Sequence, residues 1–422
     1  MMRRLFISRP APAPASTAAG SQLPALTSLR FVAAFAVLVL HYRDLLGPLP
    51  AWLLRAIVGG QFGVTFFFVL SGFILTYRYR EWFARGVSSA GYWRFQRFRF
   101  ARVYPVYLLG LLLDTPWHLV ERAQAGRLAA EAPTFAASWL LNLVGLQAWV
   151  PVVPYAMFWN TPAWSVAAEF FFYAAFPWLC CALARLGTST ARLAAVLLAT
   201  VLCGALMYAV VIYAMNYVWQ LAPQTQYLVI VYNPLLRGSE FLSGCVAGQG
   251  FLLMQTKPAP LMQTERGRNA LVALCLAAIA ARIAMPGYSG PSSLLWLLDG
   301  AFKYAAFILP FVGLVVAVAS GRTWLSPLLD RPWMVLLGEA SYSLYIIHWS
   351  VVTVLHLKLL GPFGTPPVHA AALVATVLMS VVCYRLVEVP WRRRLRGKPQ
   401  SSDPSNDNVG RVDEPPFRTA PT

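Results

Sequence analysis

The apolar run LRFVAAFAVLVLHY, Leu29 to Tyr42, carries an arginine and a histidine near its two ends, Arg30 and His41. A helix turns about 100° per residue, so eleven steps bring the two side chains within roughly 20° of one line, about 16 Å apart along the axis. That separation is about half of a bilayer core of roughly 30 Å. One group therefore sits near a membrane surface and the other well inside. An imidazole titrates near neutrality and suits proton transfer. No acid lies near His41 in sequence, and the residues alone leave it either a satisfied buried polar group or a base.

Other polar residues interrupt apolar runs: Glu169 in TPAWSVAAEFFFY, Arg237 and Glu240 in NPLLRGSEFLSG, Lys303, His348 in GEASYSLYIIHWS, and Arg385 with Glu388 in YRLVEVPW. Charge inside a span is costly and marks either a functional path or an internal ion pair. Internal pairing is the plainer reading for Lys303 and Arg385, and stands level with function for Arg237, Glu240 and Glu388. The loop YWRFQRFRFARVYP interleaves Arg94, Arg97, Arg99 and Arg102 with aromatic rings. Guanidinium groups there serve either as membrane anchors or as an anion site, since they bind phosphate bidentately and stack on rings. Arg99 and Arg102, three apart, share one helix face, and a helix N-terminus at that point would favour a phosphate. In FGVTFFFVLSGFIL, Gly63, Ser71 and Gly72 allow close helix packing, and Ser71 can also line a cavity.

These residues need a membrane scaffold. Of 422 residues 58% are hydrophobic and only 12% charged, against about a quarter charged in soluble domains. The net charge of +18 would suit nucleic acid in a soluble chain. Here the basic residues gather at the ends of apolar spans, as cytoplasmic anchors do, so no nucleic-acid partner is expected. The six cysteines form no CxxC pair, and neither a disulfide framework nor a metal site is indicated.

Apolar segments fall near 26–46, 61–78, 103–116, 135–150, 164–184, 193–216, 230–255, 269–285, 296–320, 336–360 and 368–390. The charge rule selects ten crossings with both termini cytoplasmic, and 135–150 does not cross. That places PVVPYAMFWNTPAW outside, where non-helical backbone can shape an entrance. The expectation is an all-α polytopic bundle over 26–396. A flexible cytoplasmic segment, 1–25, precedes it. A polar, proline-rich tail, 397–422, follows and is expected to be disordered and too short for a second catalytic domain. No internal repeat is evident, which argues against an inverted-repeat transporter.

Five stretches in order make the chain resemble acyltransferase family 3: LRFVAAFAVLVLH, FGVTFFFVLSGFIL, RFARVYPVYLL, NTPAWSVAAEFFFY, and ASYSLYIIHWSVV followed by RLVEVPWRRRL. These are integral-membrane acyltransferases of bacterial surface polysaccharides and some antibiotics. The resemblance implies that His41 and Arg30 form the catalytic pair, with Glu169 at the family's acidic position beside Trp164 and Ser165. It implies that Arg99 and Arg102, with Arg97 nearby, bind the donor's phosphates. His348 and Glu388 match the family's two late motifs and, with Ser71, Trp164 and Ser165, are expected to line the substrate site. The family's glutamate motif commonly holds two acids, and WSVAAEFFFY keeps one. The implied donor is acyl-CoA, most often acetyl-CoA, and no tightly bound cofactor is expected. The implied acceptor is a hydroxyl on a glycan or a small molecule such as a macrolide, and the implied location is the bacterial inner membrane. His41 would act as general base or hold the acyl group itself. Glu169 would fix its tautomer or position the acceptor. The rival class is a flippase of a lipid-linked sugar.

Overall fold

A computed structural model describes residues 23–186, 189–257, 259–285, 294–354 and 366–396. Among them every regular element is helical. Helices of eight residues or more are numbered here in chain order. The first four are α1 (Pro24–Tyr42), α2 (Ala51–Val58), α3 (Gly63–Phe83) and α4 (Ser89–Gln124). Next come α5 (Leu128–Leu143), α6 (Trp164–Arg185), α7 (Thr190–Tyr213) and α8 (Pro223–Tyr232). They are followed by α9 (Gly238–Thr256), α10 (Glu265–Ala284), α11 (Leu294–Ala319) and α12 (Pro332–Glu339). The last are α13 (Ser341–Val354), α14 (Pro366–Cys383) and α15 (Val389–Arg396). The expected 1–25 and 397–422 segments lie almost wholly outside the described residues.

Seven of these helices, some joined end to end, are long and apolar enough to cross a membrane, and the bent pair α12–α13 makes eight. Two more match them in length, α4 with 36 residues and α9 with 19. Polar residues within them keep both below that count, Asp114 and His118 in the apolar half of α4, and Glu240, Gln249 and Gln255 in α9. Adding both brings the total to the expected ten.

Several boundaries differ from the sequence expectation. The arginine-rich stretch 92–105 is helix, not loop, and α4 starts at Ser89, where Ser88 Oγ accepts the Gly91 amide proton at 3.1 Å. The helix N-terminus thus lies ten residues before Arg99 and lends it no dipole. The run 230–255 is broken at Asn233–Arg237 between α8 and α9, because the proline at 234 cannot donate to a continuing helix. The run 336–360 bends by 61° between α12 and α13, and its last residues lie outside the described set.

Helices α3 and α9 cross at backbone contact. A Cβ on Gly72 would collide with Phe241 and Cys245, one on Gly244 with Val69, and one on Gly248 with Phe73 and Thr76. Gly244 and Gly248 form a GxxxG pair, the spacing that lets helix backbones meet in lipid. Contact positions rise together along both helices, so α3 and α9 run parallel. With α4, α6 and α7 crossing between them, parallel runs leave α5 no crossing of its own. At the head of α9, Arg237 Nη2 meets Glu240 Oε2 at 3.0 Å, each side chain 1% exposed. Thr65 Oγ1 accepts from the same guanidinium at 3.1 Å, and the Tyr304 ring lies 4.0 Å from it. This is the internal ion pair that the sequence left level with a functional reading.

Candidate active site

His41 closes the last turn of α1, with Nδ1 2.9 Å from Nε2 of His348 on α13. The rings stack at 5.0 Å between centroids, and Trp349 meets His41 edge-on at 5.2 Å. The imidazole is therefore turned into the bundle, not outward. His348 is 1% exposed, and its Nδ1 lies 3.2 Å from the Leu344 carbonyl one turn back. Tyr345 packs 5.9 Å from His348. Its hydroxyl is 2.9 Å from Ser165 Oγ, and both hydroxyls are within 3.1 Å of the Pro162 carbonyl. Tyr345 also meets Phe67 at 5.8 Å, and half-buried Ser71 lies one turn along α3 on the same face as Phe67. The structure thus links His41, His348, Tyr345 and Ser165 through direct contacts, with Ser71 on the helix face that carries Phe67.

A second polar layer lies around Arg30, about 16 Å along α1 from His41 at the helical rise. Arg30 is in electrostatic reach of Arg102, Glu388, Glu169 and Tyr173. The Tyr173 hydroxyl donates to Glu169 at 2.6 Å, and the Ser343 hydroxyl donates to Glu388 at 2.9 Å. Glu388 sits on a π-helical turn, Tyr384–Glu388, and its buried Oε1 has no hydrogen-bond partner. Such turns recur at functional sites. Glu169 belongs to this Arg30 layer. The imidazole that contacts His41 is His348, so the expectation that Glu169 fixes the tautomer is corrected.

The arginines divide. Arg99 is 7% exposed, donates to the Tyr79 hydroxyl at 2.8 Å and lies over the Tyr79 ring at 5.1 Å. Arg102 shares its face, and both reach the Arg30 layer, Arg102 at Arg30 and Glu388, and Arg99 at Glu169 and Tyr173. Arg97, two residues from Arg99, is exposed on the opposite side of α4, because two helical steps turn about 200°. Trp164 also departs from expectation. It stacks on Tyr232 at 4.8 Å and faces Arg237 at 5.7 Å, so it joins the ion-pair cage rather than the imidazole layer. Lys303 lies 5.5 Å from the Tyr304 ring, and Arg385 is exposed.

Sequence reasoning passed over a third group on α4. Asp114, 3% exposed, accepts from Ser350 at 2.6 Å. His118 lies 3.8 Å from Asp114 and 3.8 Å from Glu121, with Phe158 against its ring at 4.4 Å. Asp114 is twelve residues beyond Arg102, a rise of about 18 Å, which puts it level with His41. The signal was present: an acid inside LLLDTPW incurs the same cost that singled out Glu169. Tyr345 and Tyr173 carried no such signal, since tyrosine is ordinary in spans. Among the described residues no three His, Cys, Asp or Glu side chains converge as metal ligands.

No solved structure matches this chain. The acyltransferase MdmB of Streptomyces mycarofaciens is 26% identical to it over 93% of this chain and 98% of its own length. A putative O-acetyltransferase of Staphylococcus aureus (strain COL) is 28% identical over 100 residues, 23% of this chain and 16% of that protein. A Rhizobium radiobacter protein named for its place in the picA locus is 35% identical over 21% of this chain and 41% of its own. A family model described as an acyltransferase domain matches residues 23–385. That span contains the whole of both polar layers apart from Glu388, and the chain belongs to acyltransferase family 3 as a multi-pass membrane acyltransferase.

Proposed function

We propose that this protein is an O-acyltransferase of the bacterial inner membrane. It moves an acyl group, most simply acetyl, from cytoplasmic acyl-CoA to a hydroxyl of a cell-envelope or exported glycan. The observation that carries the reading is the pair of polar layers on one helix. A proton-accepting imidazole stands about 16 Å along α1 from a cluster of arginines and carboxylates, and both are inside the bundle. The donor's phosphates dock on Arg102 at the cytoplasmic end, while buried Arg99 holds α4 against α3 through Tyr79. The pantetheine arm follows the α1 face past Arg30 and brings the thioester to His41.

His41 takes the proton of the acceptor hydroxyl as its oxygen attacks the thioester carbonyl. The new C–O bond forms, the C–S bond breaks, and the departing CoA thiolate recovers that proton from the imidazolium. Asp114 and His118 stand level with or beyond His41, on the side from which an external acceptor arrives, and their oxygens and nitrogens suit sugar hydroxyls.

The test uses the full-length protein in lipid nanodiscs with acetyl-CoA as donor probe. Arg102→Gln should raise the donor KM about tenfold, the loss of one charge-assisted contact, while Arg97→Gln leaves it unchanged. In cells, deletion of the gene should remove an acetyl substituent from envelope glycans by mass spectrometry. Substrate movement that needs no acyl-CoA would favour a flippase.

A further inference from the structure

The contacts of His348 have a consequence for which nitrogen of His41 does the work. A carbonyl oxygen only accepts hydrogen bonds, so the 3.2 Å contact from the Leu344 carbonyl to His348 Nδ1 places a proton on that nitrogen. In a neutral imidazole the other nitrogen, Nε2, then carries a bare lone pair. That lone pair faces His41 Nδ1 at 2.9 Å. Two lone pairs at this distance would repel, so Nδ1 of His41 holds the proton and donates it. The remaining nitrogen of His41, Nε2, is left bare.

The reverse arrangement would need His348 doubly protonated, donating from both nitrogens. That would put a full positive charge on a ring 1% exposed. Among the described residues no carboxylate pairs with either imidazole, and the charged group whose field reaches His41 is Arg43, of the same sign. A buried charge without a partner is strongly disfavoured.

We infer that His348 is a positioning residue: through the chain from the Leu344 carbonyl to His348 to His41 it fixes the His41 tautomer and makes Nε2 the atom that accepts the acceptor's proton. Tautomer control by a hydrogen-bonded neighbour is the usual means of orienting a catalytic imidazole. Here the neighbour is a second imidazole anchored by backbone, in place of a carboxylate. Assignment of Nε2 to acyl transfer rests on the function proposed above, whereas the tautomer does not.

Nitrogen-15 NMR of histidine-labelled full-length protein in nanodiscs reads the tautomer directly, with His41 assigned from its absence in His41→Gln. The expected wild-type spectrum has His41 protonated at Nδ1 and bare at Nε2. In His348→Phe, which keeps bulk but accepts no hydrogen bond, a substantial share of His41 should move its proton to Nε2. Thiol release from acetyl-CoA should fall on the order of 10²–10⁴-fold in His348→Phe. His348→Gln, whose amide oxygen can accept from Nδ1, should recover at least about tenfold of that loss. A wild-type His41 protonated at Nε2, an unchanged tautomer in folded His348→Phe, or a folded His348→Gln no more active than His348→Phe would each overturn the inference. If His348→Phe does not fold, the wild-type spectrum still decides it. Absence of thiol release from the wild type would instead count against acetyl-CoA as donor, and the spectra would still judge the tautomer.

Discussion

His41 ends one apolar helix and Arg237 heads another, and their surroundings differ. His41 stacks on a second imidazole with its Nδ1 2.9 Å from His348 Nε2, the setting from which the base role is proposed. Replacing it with alanine should abolish acyl transfer, a loss of at least about 10²-fold, with the thermal unfolding midpoint of the purified protein little changed. Arg237 is spent on Glu240, Thr65 and the Tyr304 ring. Removing its counter-charge in Glu240→Ala would strand a buried guanidinium and destabilise the fold by about 3–5 kcal/mol. The check is the unfolding midpoint in detergent, and a stability equal to wild type would refute the structural assignment. Arg99 is tied to the Tyr79 hydroxyl, so Arg99→Gln should lower stability, whereas Arg102→Gln should raise the donor KM.

Between elements, small residues decide which faces can meet. The α3–α9 crossing has backbone against backbone at Gly72, Gly244 and Gly248, and it sets the position of the helix that carries Phe67 and Ser71. Gly244→Leu would drive a side chain into the Val69 backbone, which cannot yield as a flexible side chain would. The expected outcome is loss of the monodisperse folded peak in size-exclusion chromatography. Gly250→Ala on the same helix, where a Cβ meets nothing, should leave that peak intact. Gly338 plays the corresponding part where α12 meets the Thr27–Ser28 backbone at the start of α1. Ser28 Oγ also donates to the Leu329 carbonyl at 2.6 Å. These contacts clamp the inner end of the helix that bears Arg30 and His41.

At the scale of the molecule, helix direction and charge agree. Arg30 shares a layer with Arg102, and Asp114 reaches Ser350 near the imidazole pair, so α1, α4 and α13 run the same way. The parallel α3 and α9 run between the same two polar layers in the other direction. On that arrangement the basic connections after α3, α6, α9 and α11 all fall at one end, as the positive-inside rule requires. Reporter fusions after Lys257 and Arg322 should read as cytoplasmic, and a fusion after Tyr155 as external. A cytoplasmic signal at Tyr155 would restore a crossing to α5 and break the parallel register.

Hydropathy and charge order determined the bundle and most of its spans, because bilayer thickness and the cost of charge in lipid act on each segment alone, while the family was legible only as a resemblance of five stretches. The helical period likewise placed Arg30 and His41 on one face, since that spacing is local. What faces His41 was not legible: the resemblance offered Glu169 to fix its tautomer and placed His348 with the substrate, and only the packing of α13 against α1 put the second imidazole within a hydrogen bond. The same holds for the split between Arg99 and Arg102 and for Trp164 joining the Arg237 cage. A side chain's partner across a helix interface depends on the crossing angle and depth of two helices, and those are set by backbone contacts at glycines far from the site in sequence.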